Sequence, residues 1–74
     1  KYKINDLEGA INDSNKVLSF EKNNGYVLYT RGLTKYKLGD LINGCLDLKR
    51  ASNLDIEEAI NYLKSEEGKW CNKD

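Results

Sequence analysis

Residues 29–41 read YTRGLTKYKLGDL, and their last seven, KYKLGDL from Lys35, are nearly spelled out once before, as KYKINDL from Lys1. The two phrases begin 34 residues apart in a chain of 74. In KYKLGDL, Gly39 can take the left-handed backbone conformation that ends a helix, and Asp40 can cap the next helix with its carboxylate. In KYKINDL, Asn5 stands where Gly39 stands and Asp6 repeats the cap; asparagine is the other residue that tolerates that conformation. Both phrases therefore predict a helix end, a tight turn and a new helix.

The flanking sequence has helical periodicity. Between Asp6 and Phe20 the apolar residues Leu7, Ala10, Ile11, Val17 and Leu18 fall at the three-and-four spacing of one helical face. KNNG, residues 22–25, breaks the pattern, and Asn24 can cap a second helix. That helix, from about Tyr26 to Leu38, is apolar on more than one side, as befits a helix flanked by neighbours. A third, from Asp40 to about Asn53, carries Leu41, Gly44, Cys45, Leu48 and Ala51 on one face, matching Leu7, Ala10, Ile11, Ser14 and Val17 one period earlier. After Asp55, the residues Ile56, Ala59, Ile60 and Leu63 form an apolar stripe while Glu57, Glu58, Asn61 and Lys64 face away. Gly68 interrupts or ends this last helix and leaves Trp70 to fold back or extend. The fold class is all-α, built of antiparallel helical hairpins.

Composition narrows the function. The length allows one small domain. Twelve Lys and Arg balance twelve Asp and Glu, so no net field draws the chain to nucleic acid or to an anionic membrane. No apolar run is long enough to span a bilayer, which suits a soluble domain and leaves the compartment open. The chain opens at Lys1 without a methionine and reads as a piece of a longer protein. There is no histidine, which removes the commonest general base and metal ligand together. Cys45 and Cys71 lack the spacing of a zinc or redox motif. No nucleophile elbow, phosphate-cradling loop or evident carboxylate pair is present, and Glu57, Glu58, Glu66 and Glu67 read as solvated helix face. The expectation is no catalysis, no metal and no cofactor.

A 34-residue helix–turn–helix period is the signature of the tetratricopeptide repeat, and the segment from Arg31 resembles the R-G-x-x-x-x-x-L-G-D-[YL] core of many bacterial repeats of that family. Gly32, with Gly44 or Ala10, matches positions the family keeps small so that paired helices approach closely. Residues 44–71, GCLDLKRASNLDIEEAINYLKSEEGKWC, are similar to the closing portion of such arrays, with one cysteine early in the last hairpin's second helix and another ending the tail. Two departures stand out. Lys22 and Ile56 replace the family's usual proline, and Lys35 stands where an aromatic is common.

The resemblance implies a short α-solenoid made of a partial repeat at 1–22, a complete repeat at 23–56, and a capping helix and tail at 57–74. It also implies a concave groove that holds a peptide or partner protein. Tyr26, Tyr29, Leu33 and Tyr36 would line it with Lys37 beside them, and Tyr2 and Lys3 would contribute from the preceding repeat. Tyrosine suits such a wall, offering flat apolar area with a hydrogen-bonding tip; the alternative is that some rings fill the core. The family's carboxylate clamp is not recognisable, because Tyr29 and Leu33 occupy its place. Arg31 reads as an inter-helix ion pair with Asp13 and Asp47. Cys45 and Cys71 are either a bridge stapling the tail or buried free thiols. A further alternative is a structural spacer or self-association module, with an apolar face at Ile4, Leu7 and Ile11 covered by a second copy.

Overall fold

The structure, a computed structural model, describes residues 4–71, with side chains from Asp6 onward. Tyr2 and Lys3, two of the groove candidates, lie outside the described residues, as does the side chain of Ile4. Four helices follow one another: α1 (Ile4–Phe20), α2 (Gly25–Lys37), α3 (Leu41–Asn53) and α4 (Glu57–Lys64), then a single 3-10 turn at Glu66–Gly68. The described residues contain no strand, and no helix among them is long and apolar enough to cross a membrane.

The turns carry the local signals that end and start helices. Asn24 caps α2, its side-chain oxygen accepting from the Val27 amide at 3.1 Å, and Asp40 caps α3 through the Asn43 amide at 3.3 Å. Between α2 and α3, Gly39 takes φ +91°. The Asp40 amide then donates to the Lys35 carbonyl and the Gly39 amide to that of Tyr36, both at 2.9 Å, which closes a Schellman motif. The same motif ends α3, where Asp55 takes the left-handed position at φ 66°, with Ile56 donating to Ala51 at 3.1 Å. That conformation costs an L-residue with a Cβ roughly 1–2 kcal/mol, and no glycine announced it in the sequence. The turn expected at Asn5 of KYKINDL does not form. Ile4 already opens α1, so Asn5 and Asp6 lie inside its first turn, where the Asp6 carboxylate complements the helix N-terminus.

Each helix packs on the next in sequence, most extensively α2 on α3. At their crossing the backbones touch. A Cβ built on Gly32 would stand 2.8 Å from the Gly44 carbonyl oxygen, and one built on Gly44 would stand 2.8 Å from that of Gly32. Above the crossing, Arg31 grips Asp47 with two bonds, Nε to Oδ2 at 2.7 Å and Nη2 to Oδ1 at 2.9 Å. Lys35 Nζ reaches the same carboxylate at 3.2 Å, and Asp47 is only 3% exposed. The third arm of Arg31, Nη1, donates to Asn15 on α1 at 2.7 Å, so one guanidinium spans three helices. Its α1 partner is Asn15 and not the expected Asp13. Those two positions stand ~200° apart around a helix, on opposite flanks of the buried Ser14, and only one flank faces α2. Hydrogen bonding to Asp47 raises the Arg31 pKa above its ordinary value, against the opposing effect of burial.

The core runs through all four helices. Leu28, Leu48, Ala51 and Ala59 are fully buried, and Leu18, Tyr29 and Ile56 pack against the cluster of Leu28, Ala51 and Ala59. Positions one period apart differ in burial: Leu7 is 8% exposed while its counterpart Leu41 is 47% exposed. Leu7 therefore does not belong to an open apolar face at the start of the chain.

Gly32→Ala forces the two backbones apart and is expected to destabilise the protein by about 1–3 kcal/mol in urea unfolding. A Cβ placed on Gly9 of α1 would meet nothing within 4 Å, so Gly9→Ala is expected to leave stability unchanged or raise it by up to about 1 kcal/mol. Equal effects of the two substitutions would show that the glycine crossing carries no packing constraint.

Candidate functional site

Tyr26, Tyr29, Leu33 and Tyr36 recur at three-and-four spacing, so α2 presents them as one stripe. Tyr29 and Leu33 are half-buried, and Tyr26 and Tyr36 are exposed. Facing them across a hollow of about 480 Å³ are Tyr62 and Glu67, with Lys37 completing the lining beside Tyr29, Leu33 and Tyr36. Tyr26 stands outside this hollow, its ring 6.1 Å from that of Tyr29 and tilted to it. Tyr29 has two roles, since its ring packs on the core cluster from one side and walls the hollow from the other.

The far wall comes from α4 and the turn after it. Glu58, Asn61, Tyr62 and Ser65 follow the i, i+3, i+4, i+7 pattern of one helical face. That face, with Tyr29 and Glu67, lines a second, open hollow of about 340 Å³. The signal for these residues was present in the periodicity, but it flanks the apolar stripe of α4 and so reads as solvated surface. Glu67 is brought in by the 3-10 turn, which no periodicity encodes.

Trp70 folds back onto two residues of the site. Its ring stacks on Tyr36 with centroids 4.2 Å apart and planes 17° from parallel, and meets Tyr62 edge-on at 6.4 Å. Its indole N–H donates to the Tyr62 hydroxyl at 2.7 Å, while the Ser65 hydroxyl donates to the Tyr62 carbonyl at 2.7 Å. The tail is tied to α3 by a disulfide between Cys45 and Cys71, whose Cα atoms are 5.1 Å apart. The bridge fixes the residue next to Trp70 and so holds the indole over Tyr36.

Burial raises the Tyr29 phenol above the ordinary tyrosine range, and the nearby Glu58, Tyr26, Tyr62 and Glu67 add to the effect. No family model matches this chain, and comparison with curated proteins and with solved structures returns no match.

Two outcomes follow from this arrangement. A raised folded-state pKa means that the contribution of the neutral Tyr29 phenol to stability is fully present below about pH 10 and is lost as pH rises through the folded value. Phenolate absorbance should therefore show a component titrating above the ordinary range, which Tyr29→Phe removes. Reducing the Cys45–Cys71 bridge, which closes a loop with a sequence separation of 26, should cost roughly 3–4 kcal/mol of stability and shift Trp70 emission to the red. An unmoved emission maximum would show that the indole holds its place over Tyr36 without the bridge.

Proposed function

We propose that this chain is a tetratricopeptide-type protein-interaction module, the end of a helical array, whose groove between α2 and α4 binds an extended peptide segment of a partner protein. The module has no catalytic chemistry of its own in this reading, and it engages neither nucleic acid nor membrane. The observation that carries the proposal is the hollow itself, in which Tyr29, Leu33, Tyr36 and Tyr62 present apolar area with polar tips between two charged residues, Lys37 and Glu67. Half-buried tyrosines on a rigid helix pair bind at small entropic cost and recur as binding hot spots. The 34-residue recurrence, the Gly39 turn and the close glycine crossing support the repeat assignment. In that assignment residues 1–22 end one repeat, 23–56 form a complete one, and 57–74 cap the array.

A second reading rests on a different surface. Leu41, Ile42 and Leu46 on the outer face of α3 are exposed, Ile42 at 78%, and they line a hollow of about 310 Å³ with Trp70 and the disulfide. This is where a self-associating module would meet its copy.

Selection from a displayed random-peptide library separates the two readings. Sequences enriched on the protein should bind about tenfold more weakly, or worse, to a Leu33→Ala, Tyr62→Ala variant of unchanged helicity. Enrichment that ignores these substitutions, together with a concentration-dependent mass in light scattering that Ile42→Glu abolishes, would replace the peptide groove with self-association.

A further inference from the structure

The hollow beside the groove differs from its neighbour in charge. Its lining is Tyr29, Glu58, Asn61, Tyr62, Ser65 and Glu67, that is, two aromatic rings and two carboxylates with no basic residue. Lys37 lines the adjoining hollow and not this one. Glu66 shows the contrasting arrangement, since it pairs with Lys69 within its own turn at 3.1 Å, out in solvent. Both carboxylates line the hollow with Tyr29, and after burial their charge helps to keep its phenol neutral. The Tyr62 ring is held in place by the Trp70 indole N–H on its hydroxyl and by a T-shaped contact between the two rings.

Two carboxylates beside aromatic rings favour a cation. An exposed carboxylate alone gains little from an ion pair in water. In this open hollow, where Glu58 and Glu67 are exposed and Tyr29 and Tyr62 are half-buried, a cation gains the attraction of the ring quadrupole as well as the charge. Guanidinium suits this lining better than ammonium, because it is planar, weakly hydrated, stacks on a ring and offers a fork of donors to carboxylates. We propose that this hollow is a specificity pocket for an arginine side chain, presented by the peptide that lies in the adjoining groove. The inference rests on the peptide-binding reading, and it names the partner as a basic peptide segment. Charge complementarity of this kind contributes specificity and association rate, so binding weakens with added salt.

The direct test titrates the protein with N-acetylarginine amide and, in parallel, with its neutral isostere N-acetylcitrulline amide, following backbone amide chemical shifts. The arginine probe should move the signals of Tyr29, Asn61 and Tyr62 saturably, and citrulline should bind more weakly by on the order of tenfold. A Glu58→Gln, Glu67→Gln variant, whose substitutions keep side-chain size, should lose that preference. Equal binding of the two probes, or a preference unchanged in the variant, would overturn the arginine pocket. The peptide selection distinguishes the two levels. Neutral or acidic sequences that depend on Leu33 and Tyr62 would overturn the pocket while leaving the groove in place. Failure of every peptide class to enrich would overturn the groove and the pocket with it.

Discussion

At Gly32 and Gly44 the backbones of α2 and α3 touch, each presenting a carbonyl where the other's Cβ would have stood. So close an approach removes the space for water between the helices, and it puts Leu48 and Asp47 of α3 directly against α2. A carboxylate buried there needs partners, because desolvating an unpaired charge costs several kcal/mol. Arg31 and Lys35 supply them, and the third arm of Arg31 carries the connection on to Asn15 of α1. The pairing is best regarded as fixing the relative position of three helices. A buried ion pair of this kind adds little net stability over an apolar replacement, but it penalises any arrangement that separates the partners.

The candidate site follows from that fixed crossing. With α2 held against α3, and α4 turned back by the Schellman motif at Asp55, the tyrosine stripe of α2 faces the Glu58–Tyr62 face of α4 across a hollow. The disulfide acts beyond α4, where it ties Cys71 to Cys45 of α3. It adds a covalent tie to the stacking on Tyr36 and the hydrogen bond to Tyr62 that hold Trp70. Tyr29 then joins core and groove, and the same burial that packs its ring keeps its phenol neutral.

The two copies of the heptad show how context divides equivalent sequences. Leu7 is buried and Leu41 exposed, while Val17 is exposed and its counterpart Ala51 is fully buried. α3 lies between α2 and α4, whereas α1 packs chiefly on α2. The same stripe of side chains therefore meets different neighbours, and the face of α3 that carries Leu41, Ile42 and Leu46 is left open.

By itself the sequence determined the helical class, both ends of α2 and the start of α3. These are written in local chemistry: Asn24 and Asp40 are capping side chains, and Gly39 frees the backbone for a left-handed turn. The resemblance left Gly44 and Ala10 open as partners of Gly32, and tertiary structure chose Gly44. The tyrosine stripe was equally legible, because periodicity alone puts its members on one face. Tertiary structure decided what local chemistry does not encode. It selected Asn15 over Asp13, put Asn5 and Asp6 inside the first turn of α1, and made Asp55 take a position that favours glycine. It also brought Tyr62, Glu58, Glu67 and Trp70 to a stripe they do not adjoin in sequence. Which side chains share a hollow depends on the angles at which helices cross and on where the disulfide pins the tail. Those are properties of pairs of distant residues, and no single segment carries them.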